Sequence, residues 1–234
     1  MRLIYPMTNP MKKLFVLSFL TVLTISAAFA QKDVEAKKIL NQVSLKYRSY
    51  DAVKADFTFT VENQQAGTKD TQTGTLISRS KANKYKMTIY SPGEKAAVDQ
   101  EIISDGKSQW TYLKKDKEVQ LNDVDKSGDS LNPAQIFTIY EHGYKYLFTG
   151  TEKIGGRLYQ TIDLTPEDSK KTFFKVRLTI DKLKKQIYSA MIFDKNGSKY
   201  NYVIKSFTPN INVPENTFTF DKKDHPGVEV VDLR

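Results

Sequence analysis

Apolar and polar residues alternate along most of this chain, and the alternation sets in at Val53. Val53, Ala55, Phe57, Phe59 and Val61 interleave with Lys54, Asp56, Thr58, Thr60 and Glu62. A period of two places one set on a dry face of a strand and the other in water. Thr73 to Ser78 and Lys84 to Tyr90 continue it, with Tyr85, Met87 and Ile89 on one face. Upstream the period is different. Val34, Ala36, Leu40, Val43 and Tyr47 recur at helical spacing, with Asp33 placed to cap, so a helix is expected over Lys32 to Tyr50.

Turn signals punctuate the rest. Ser104-Asp105-Gly106-Lys107 separates Glu101–Ser104 from Ser108–Leu113, and Lys114 to Lys117 leads to Glu118–Asp123. Lys195-Asn196-Gly197-Ser198 joins Ile187–Asp194 to Lys199–Phe207, and Asn-Gly is a strong hairpin signal. Tyr144–Phe148, Leu158–Leu164 and Phe173–Asp181 read as further strands. Short turns between neighbours imply an antiparallel meander. One interruption, Leu131 to Gly143, reads as a short helix. Asn132 caps it, Pro133 suits its first position, Gly143 ends it, and Ile136, Phe137 and Tyr140 form its apolar stripe. The expected fold class is mainly β (α+β): a large antiparallel sheet with two helices on one face.

The first thirty residues carry a different message. Met11-Lys12-Lys13, an apolar run from Leu14 to Ile25, and Ala28-Phe29-Ala30 have the order of a secretory signal peptide. Residues 1–10 read as an upstream start choice. The apolar run is short for a membrane span. The expected mature chain begins near Gln31, and residues 31–234 form one domain large enough for its own core. Cysteine is absent. The chain therefore has no disulfide, no thiolate metal site and no lipid-accepting cysteine of its own. A monomer in the periplasm is expected.

The 36 basic and 27 acidic residues give a net charge of +9, and the basic ones are dispersed along the chain. No basic stripe with a recognition motif points to nucleic acid, while attraction to an anionic membrane surface or an acidic partner fits. No catalytic constellation emerges. Neither Gly-x-Ser-x-Gly nor His-Glu-x-x-His nor a phosphate-cradling glycine loop occurs. His142 and His225 sit beside turns, and Asp221, Asp224 and His225 read as polar side chains in contact with water. No enzyme, metal or cofactor is expected. What stands out is 13 Tyr, 13 Phe and one Trp, many on strand faces. They fit a filled β core or a cavity for an apolar ligand.

Ile103 to Tyr112, reading ISDGKSQWTY, resembles the "SDGK-x-x-W-x-Y" hairpin of the LolA family of periplasmic lipoprotein carriers. Gly74-x-Leu76, Lys84-Tyr85-Lys86-Met87 through Ser91-Pro92, Asn132-Pro133 to Tyr140, Leu164-Thr165-Pro166, Asp194-x-x-Gly197, Phe218-x-Phe220 and Pro226-Gly227-Val228 follow in family order.

The resemblance implies an incomplete antiparallel β-barrel whose open mouth is covered by helices. It also implies a cavity for the acyl chains of lipoproteins. An inner-membrane ABC transporter would supply them and an outer-membrane acceptor would take them. On that basis Phe57, Phe59, Leu76 and Tyr85 are candidate wall residues, with Met87, Ile89, Trp110 and Tyr112. Ile136, Phe137 and Tyr140 are candidate lid residues. Ordinary core packing is the competing role for each. The family's Arg-Pro after the second strand, whose Arg latches the lid, is replaced by Arg79-Ser80-Lys81, so Arg79 or Lys81 is the candidate latch. A lipid- or lipoprotein-sensing regulatory protein of the same fold is the alternative function.

Overall fold

The computed structural model describes residues 34–93, 97–124, 137–141 and 143–234. The expected leader lies outside them, as do Leu131 to Ile136 of the expected internal helix. Residues 34–48 form helix α1. Its buried residues Ala36, Ile39, Leu40, Val43 and Tyr47 recur every three or four positions, which confines them to one stripe.

Twelve strands follow. Six form a meander: β1 (Val53–Asn63), β2 (Thr68–Arg79), β3 (Lys84–Tyr90), β4 (Val98–Ser104), β5 (Ser108–Leu113) and β6 (Glu118–Asp123). Five form a second: β7 (Tyr144–Ile154), β8 (Arg157–Pro166), β9 (Phe173–Asp181), β10 (Gln186–Asp194) and β11 (Ser198–Pro209). The short β12 (Glu229–Asp232) closes the chain. The two meanders join where β1 pairs with β11, giving one open sheet ordered β12-β6-β5-β4-β3-β2-β1-β11-β10-β9-β8-β7. This is the large sheet that the alternation implies and the incomplete barrel that the resemblance implies.

The antiparallel expectation fails at one place. β12 runs parallel to β6, with Glu229 opposite Glu118 and Asp232 opposite Leu121. The residues after Pro209 cross the outer face of the sheet before pairing. Val213 and Phe218 bury against Ala52 and Ile77, and Val228 is buried further on. The crossing brings the tail to β6 in the same direction as that strand, and it caps an edge that would otherwise expose unpaired backbone.

The inner face, on which α1 packs, holds the main core. Register carries it across the sheet. Phe57 faces Gly74 and Ile204, Leu76 lies between Ala55 and Met87, and Ala190 lies between Leu178 and Tyr202. Gly74 is required by packing. A Cβ there would stand 2.5 Å from the Phe57 ring and 2.7 Å from the Thr88 carbonyl oxygen.

The apolar lining changes sides beyond β3. The positions that continue the inner face are Gln100, Ile102 and Ser104 on β4, then Gln109, Thr111 and Leu113 on β5. Mostly polar side chains therefore face inward there. On the outer face of β4 to β6, Ile103 and Val119 are buried beneath the C-terminal tail. His225 of the tail packs between Tyr112 and Phe220, with ring centroids 4.6 and 4.7 Å away. It also meets the buried Glu101 carboxylate at 3.3 Å, which Lys86 approaches at 2.9 Å.

Asp56 fastens the junction of the meanders from outside. It accepts hydrogen bonds from Thr75 of β2 at 2.9 Å and Ser206 of β11 at 2.5 Å. The bond from Ser206, seconded by that from Thr75, holds its carboxyl below the ordinary value against the opposing effect of burial. A carboxylate held low stabilises the fold fully above the ordinary range near pH 4. It loses that contribution as pH falls through its own lower pKa. Asp56→Asn is expected to lower stability at pH 7 and to flatten the loss on acidification. Urea unfolding at pH 7 and in the acid range checks this, and an unchanged pH dependence would contradict it. Gly74→Val is expected to cost about 1–3 kcal/mol by the same assay, because neither the ring nor the strand carbonyl can move aside freely.

Candidate ligand-binding cavity

Among the described residues, two pieces of chain cover the inner face: α1 and residues 137–141. Within the second, only Ile139–Glu141 adopts a 3-10 turn, following a turn at 137–138, so the described part is not the regular helix expected through Gly143. Phe137 is buried and stacks on Tyr47 of α1, with centroids 4.6 Å apart and planes 18° from parallel. Both rings meet Phe207 of β11 edge-on, at 5.4 and 5.7 Å. These aromatic pairings add to the area they bury. The Tyr47 hydroxyl accepts the backbone N–H of Ile187, and burial pushes its pKa well up.

Beneath the cover lies an aromatic lining. Phe59 stacks on Tyr202 at 4.6 Å and lies parallel to Tyr200 at 6.3 Å, and Phe57 tilts against Tyr202 at 5.8 Å. Tyr146 and Phe148 of β7 pack on the same core while remaining half-buried. Burial pushes the Tyr85, Tyr144 and Tyr202 phenols up to about 12, so all three stay neutral across physiological pH. The lining is apolar and uncharged, the surface a hydrocarbon chain requires.

The rim of the cover is polar. Glu141 accepts hydrogen bonds from Ser44 and from both Nε and a terminal nitrogen of Arg48, the Nε contact at 3.0 Å. The hydrogen bond from Arg48 to the Glu141 carboxylate holds the guanidinium pKa up. Beside this clasp a cleft of about 510 Å³ opens between α1, residues 140–141 and β7, lined by Leu40, Ser44, Arg48, Tyr140, Glu141 and Tyr146 among others. Tyr140 lines it, and its hydroxyl is buried with no hydrogen-bond partner among the described residues. Desolvation raises the pKa of that phenol strongly.

The sequence-derived candidates divide by face. Phe57, Phe59, Leu76, Tyr85, Met87 and Ile89 belong to the inner core or pack on it, and Phe137 and Tyr140 lie over that core. Trp110 and Tyr112 do not belong to that core. The register sets Trp110 opposite Ile103 and Leu121, and Tyr112 opposite Glu101 and Val119, all on the outer face. Ile136 lies outside the described residues. Arg79 does not latch residues 137–141. Its guanidinium pairs with Glu215, donates to the Val213 carbonyl at 2.7 Å and lies over the Phe218 ring, fastening the C-terminal tail. Lys81 is exposed on the turn after β2. Arg48 and Ser44 hold Glu141 instead. Tyr200, Tyr202, Tyr146 and Phe148 were within reach of sequence reasoning, since each pair sits on one face of an alternating strand.

Among the described residues no group of three or more His, Asp or Glu side chains is placed to hold a metal ion, and no helix is long and apolar enough to cross a membrane. The arrangement is a sheet that wraps an apolar, aromatic-lined interior beneath a short cover at residues 137–141. Residues 48–221 match the model of the family "Outer membrane lipoprotein carrier protein LolA", and the chain belongs to that family. No curated protein sequence matches the chain. Among solved structures, an uncharacterized conserved protein from Thermus thermophilus superposes with a TM-score of 0.54 at 14% identity, covering 85% of this chain and 99% of that one. It shares the fold. A LolA superfamily protein from Nitrosomonas europaea (TM-score 0.44, 15% identity, 79% of this chain and 97% of that one) and LprF from Mycobacterium bovis (0.46, 13%, 79% and 98%) are more distant.

Glu141→Gln removes the charge from the clasp without removing its shape. Amide hydrogen exchange is expected to quicken at residues 138–141 and to stay unchanged in β1 and β11, since only the cover loses its fastening. Equal protection of residues 138–141 in both proteins would show that the clasp does not hold them.

Proposed function

We propose that this protein is a periplasmic carrier that shelters the acyl chains of lipoproteins on the inner face of its sheet. In this reading residues 1–30 are a cleaved leader and the mature protein travels as a monomer. It takes cargo from an inner-membrane ABC lipoprotein-release transporter and yields it to an outer-membrane acceptor. No catalytic residue, metal or cofactor is assigned. Membership in the LolA family supports the reading. The single observation that carries it is the cover: Phe137 and Tyr140 fill an aromatic-lined interior, yet a polar clasp at the rim fastens them.

Magnitudes explain why such a cover suits a carrier. Each buried CH₂ is worth roughly 0.8 kcal/mol, so one long acyl chain left in water costs on the order of 10 kcal/mol. A permanently empty cavity would leave its own walls with the same problem. A cover that occupies the interior without cargo and yields to it removes both costs in turn. Cargo binding must expose Phe137, which lowers net affinity and permits release.

The test uses a fluorescent fatty-acid probe. Phe137→Glu places a charge under the cover, which is costly unless the cover swings out, so probe binding is expected to speed up. Phe59→Glu and Met87→Glu put the charge on the wall and should abolish binding, while Lys115→Glu on an exposed turn should change nothing. Unaltered binding in folded wall and cover variants would overturn the carrier reading. Transfer of an acylated peptide between donor and acceptor vesicles then separates a carrier from a sensor that holds its lipid.

A further inference from the structure

One end of the sheet has a surface that the cavity does not explain. The β9–β10 turn, Lys182-Leu183-Lys184-Lys185, holds Leu183 at 92% exposure. A single exposed leucine means little. This one is presented by a fixed turn. The buried Asp181 carboxylate accepts the N–H groups of Leu183 at 2.9 Å and Lys184 at 2.8 Å, and the Asp181 carbonyl accepts from Lys185 at 2.8 Å. Lys46 of α1 donates to the Lys184 carbonyl. With its backbone held from both sides, the turn cannot fold Leu183 back onto the protein.

A second turn shares this end. Lys182 N–H donates to the Leu158 carbonyl at 2.9 Å, tying the β9–β10 turn to the start of β8. Leu158 is 48% exposed and Ile154, across the β7–β8 turn, is 36% exposed. Lys153, Arg157, Lys182, Lys184 and Lys185 flank these apolar tips along the two turns, and Lys205 shares a cleft with Arg157 and Lys184. Among the described residues the carboxylates here include the exposed Glu152, the buried Asp181, which accepts from the turn amides, and Asp56, which is hydrogen-bonded to Ser206 of the neighbouring strand. Arg157, Lys184 and Lys205 converge on a cleft of about 280 Å³.

We propose that this end of the sheet docks on an anionic lipid bilayer, with Leu183 entering the headgroup layer and the cations meeting lipid phosphates. An apolar tip ringed by lysine and arginine matches the layering of a membrane interface, where hydrocarbon lies beneath negative charge. Docking deepens the carrier reading and rests on it for its purpose. The same end holds the C-terminal turn of α1, where Tyr47 bonds Ile187 and stacks on Phe137, so docking would bring the cover to the membrane.

Cosedimentation with vesicles tests it. The full-length mature protein is expected to bind vesicles containing phosphatidylglycerol at low salt, and to ignore phosphatidylcholine vesicles. Raising the salt should release it. Leu183→Gln, and separately Lys182→Ser with Lys184→Ser, should weaken binding about tenfold or more. Leu233→Gln, exposed on the tail, should not. All are surface changes, and circular dichroism verifies the fold. Failure of the wild-type protein to bind anionic vesicles, or undiminished binding by Leu183→Gln, would overturn docking; capture of an acidic protein without vesicle binding would do so too. Fatty-acid probe binding, measured on the same samples, should survive every tip substitution. A wild-type protein that binds anionic vesicles but not the probe would count against the carrier reading and leave docking standing.

Discussion

Everything in this fold depends on what covers the inner face of an open sheet. Strands from β7 through β11 and on to β3 line that face with aromatic and branched side chains. A closed barrel would bury them against one another. An open one leaves them to water unless something else fills the interior. α1 fills part of it, with five buried residues along one stripe. Phe137 and Tyr140 fill another part on a short stretch with little regular backbone structure. The contrast gives the two covers different characters. One is a helix whose Tyr47 also bonds a strand; the other is held by stacking and by the Glu141 clasp at its rim.

The sheet has a second face to satisfy. Beyond β3 its apolar side chains point outward, and the C-terminal tail covers them. Arg79, paired with Glu215, and Glu101, meeting both Lys86 and His225, anchor that tail at two places. The tail thus does for the outer face of β4 to β6 what α1 does for the inner face of the rest. The reversal also bounds the cavity, since mostly polar positions continue the inner face at β4 and β5.

Much of this was legible in the sequence. Period-two alternation located β1, β3 and the second half of β2, and Asn196-Gly197 marked the turn into β11, because these signals are local. β2 begins earlier than its apolar pattern, since polar residues from Thr68 pair with β1 up to Asn63. Trp110 and Tyr112 show where local pattern stops. Alternation places them on a common face, but the register of β5 on β4 decides which face, and that is set by pairing across the sheet. Arg48 and Glu141 are 93 positions apart in sequence, and no spacing rule links them. The parallel β12 is four residues long and gives too short a pattern to read.

The central physical claim is that cargo and cover compete for one space. Amide hydrogen exchange with and without a triacylated cysteinyl peptide tests it most directly. If acyl chains displace the cover, protection at residues 138–141 falls when the peptide binds, while β1 and β11 stay protected. If the peptide binds and residues 138–141 keep or gain protection, or the change falls on the outer face around Trp110, the chains are not under the cover and the claim is wrong.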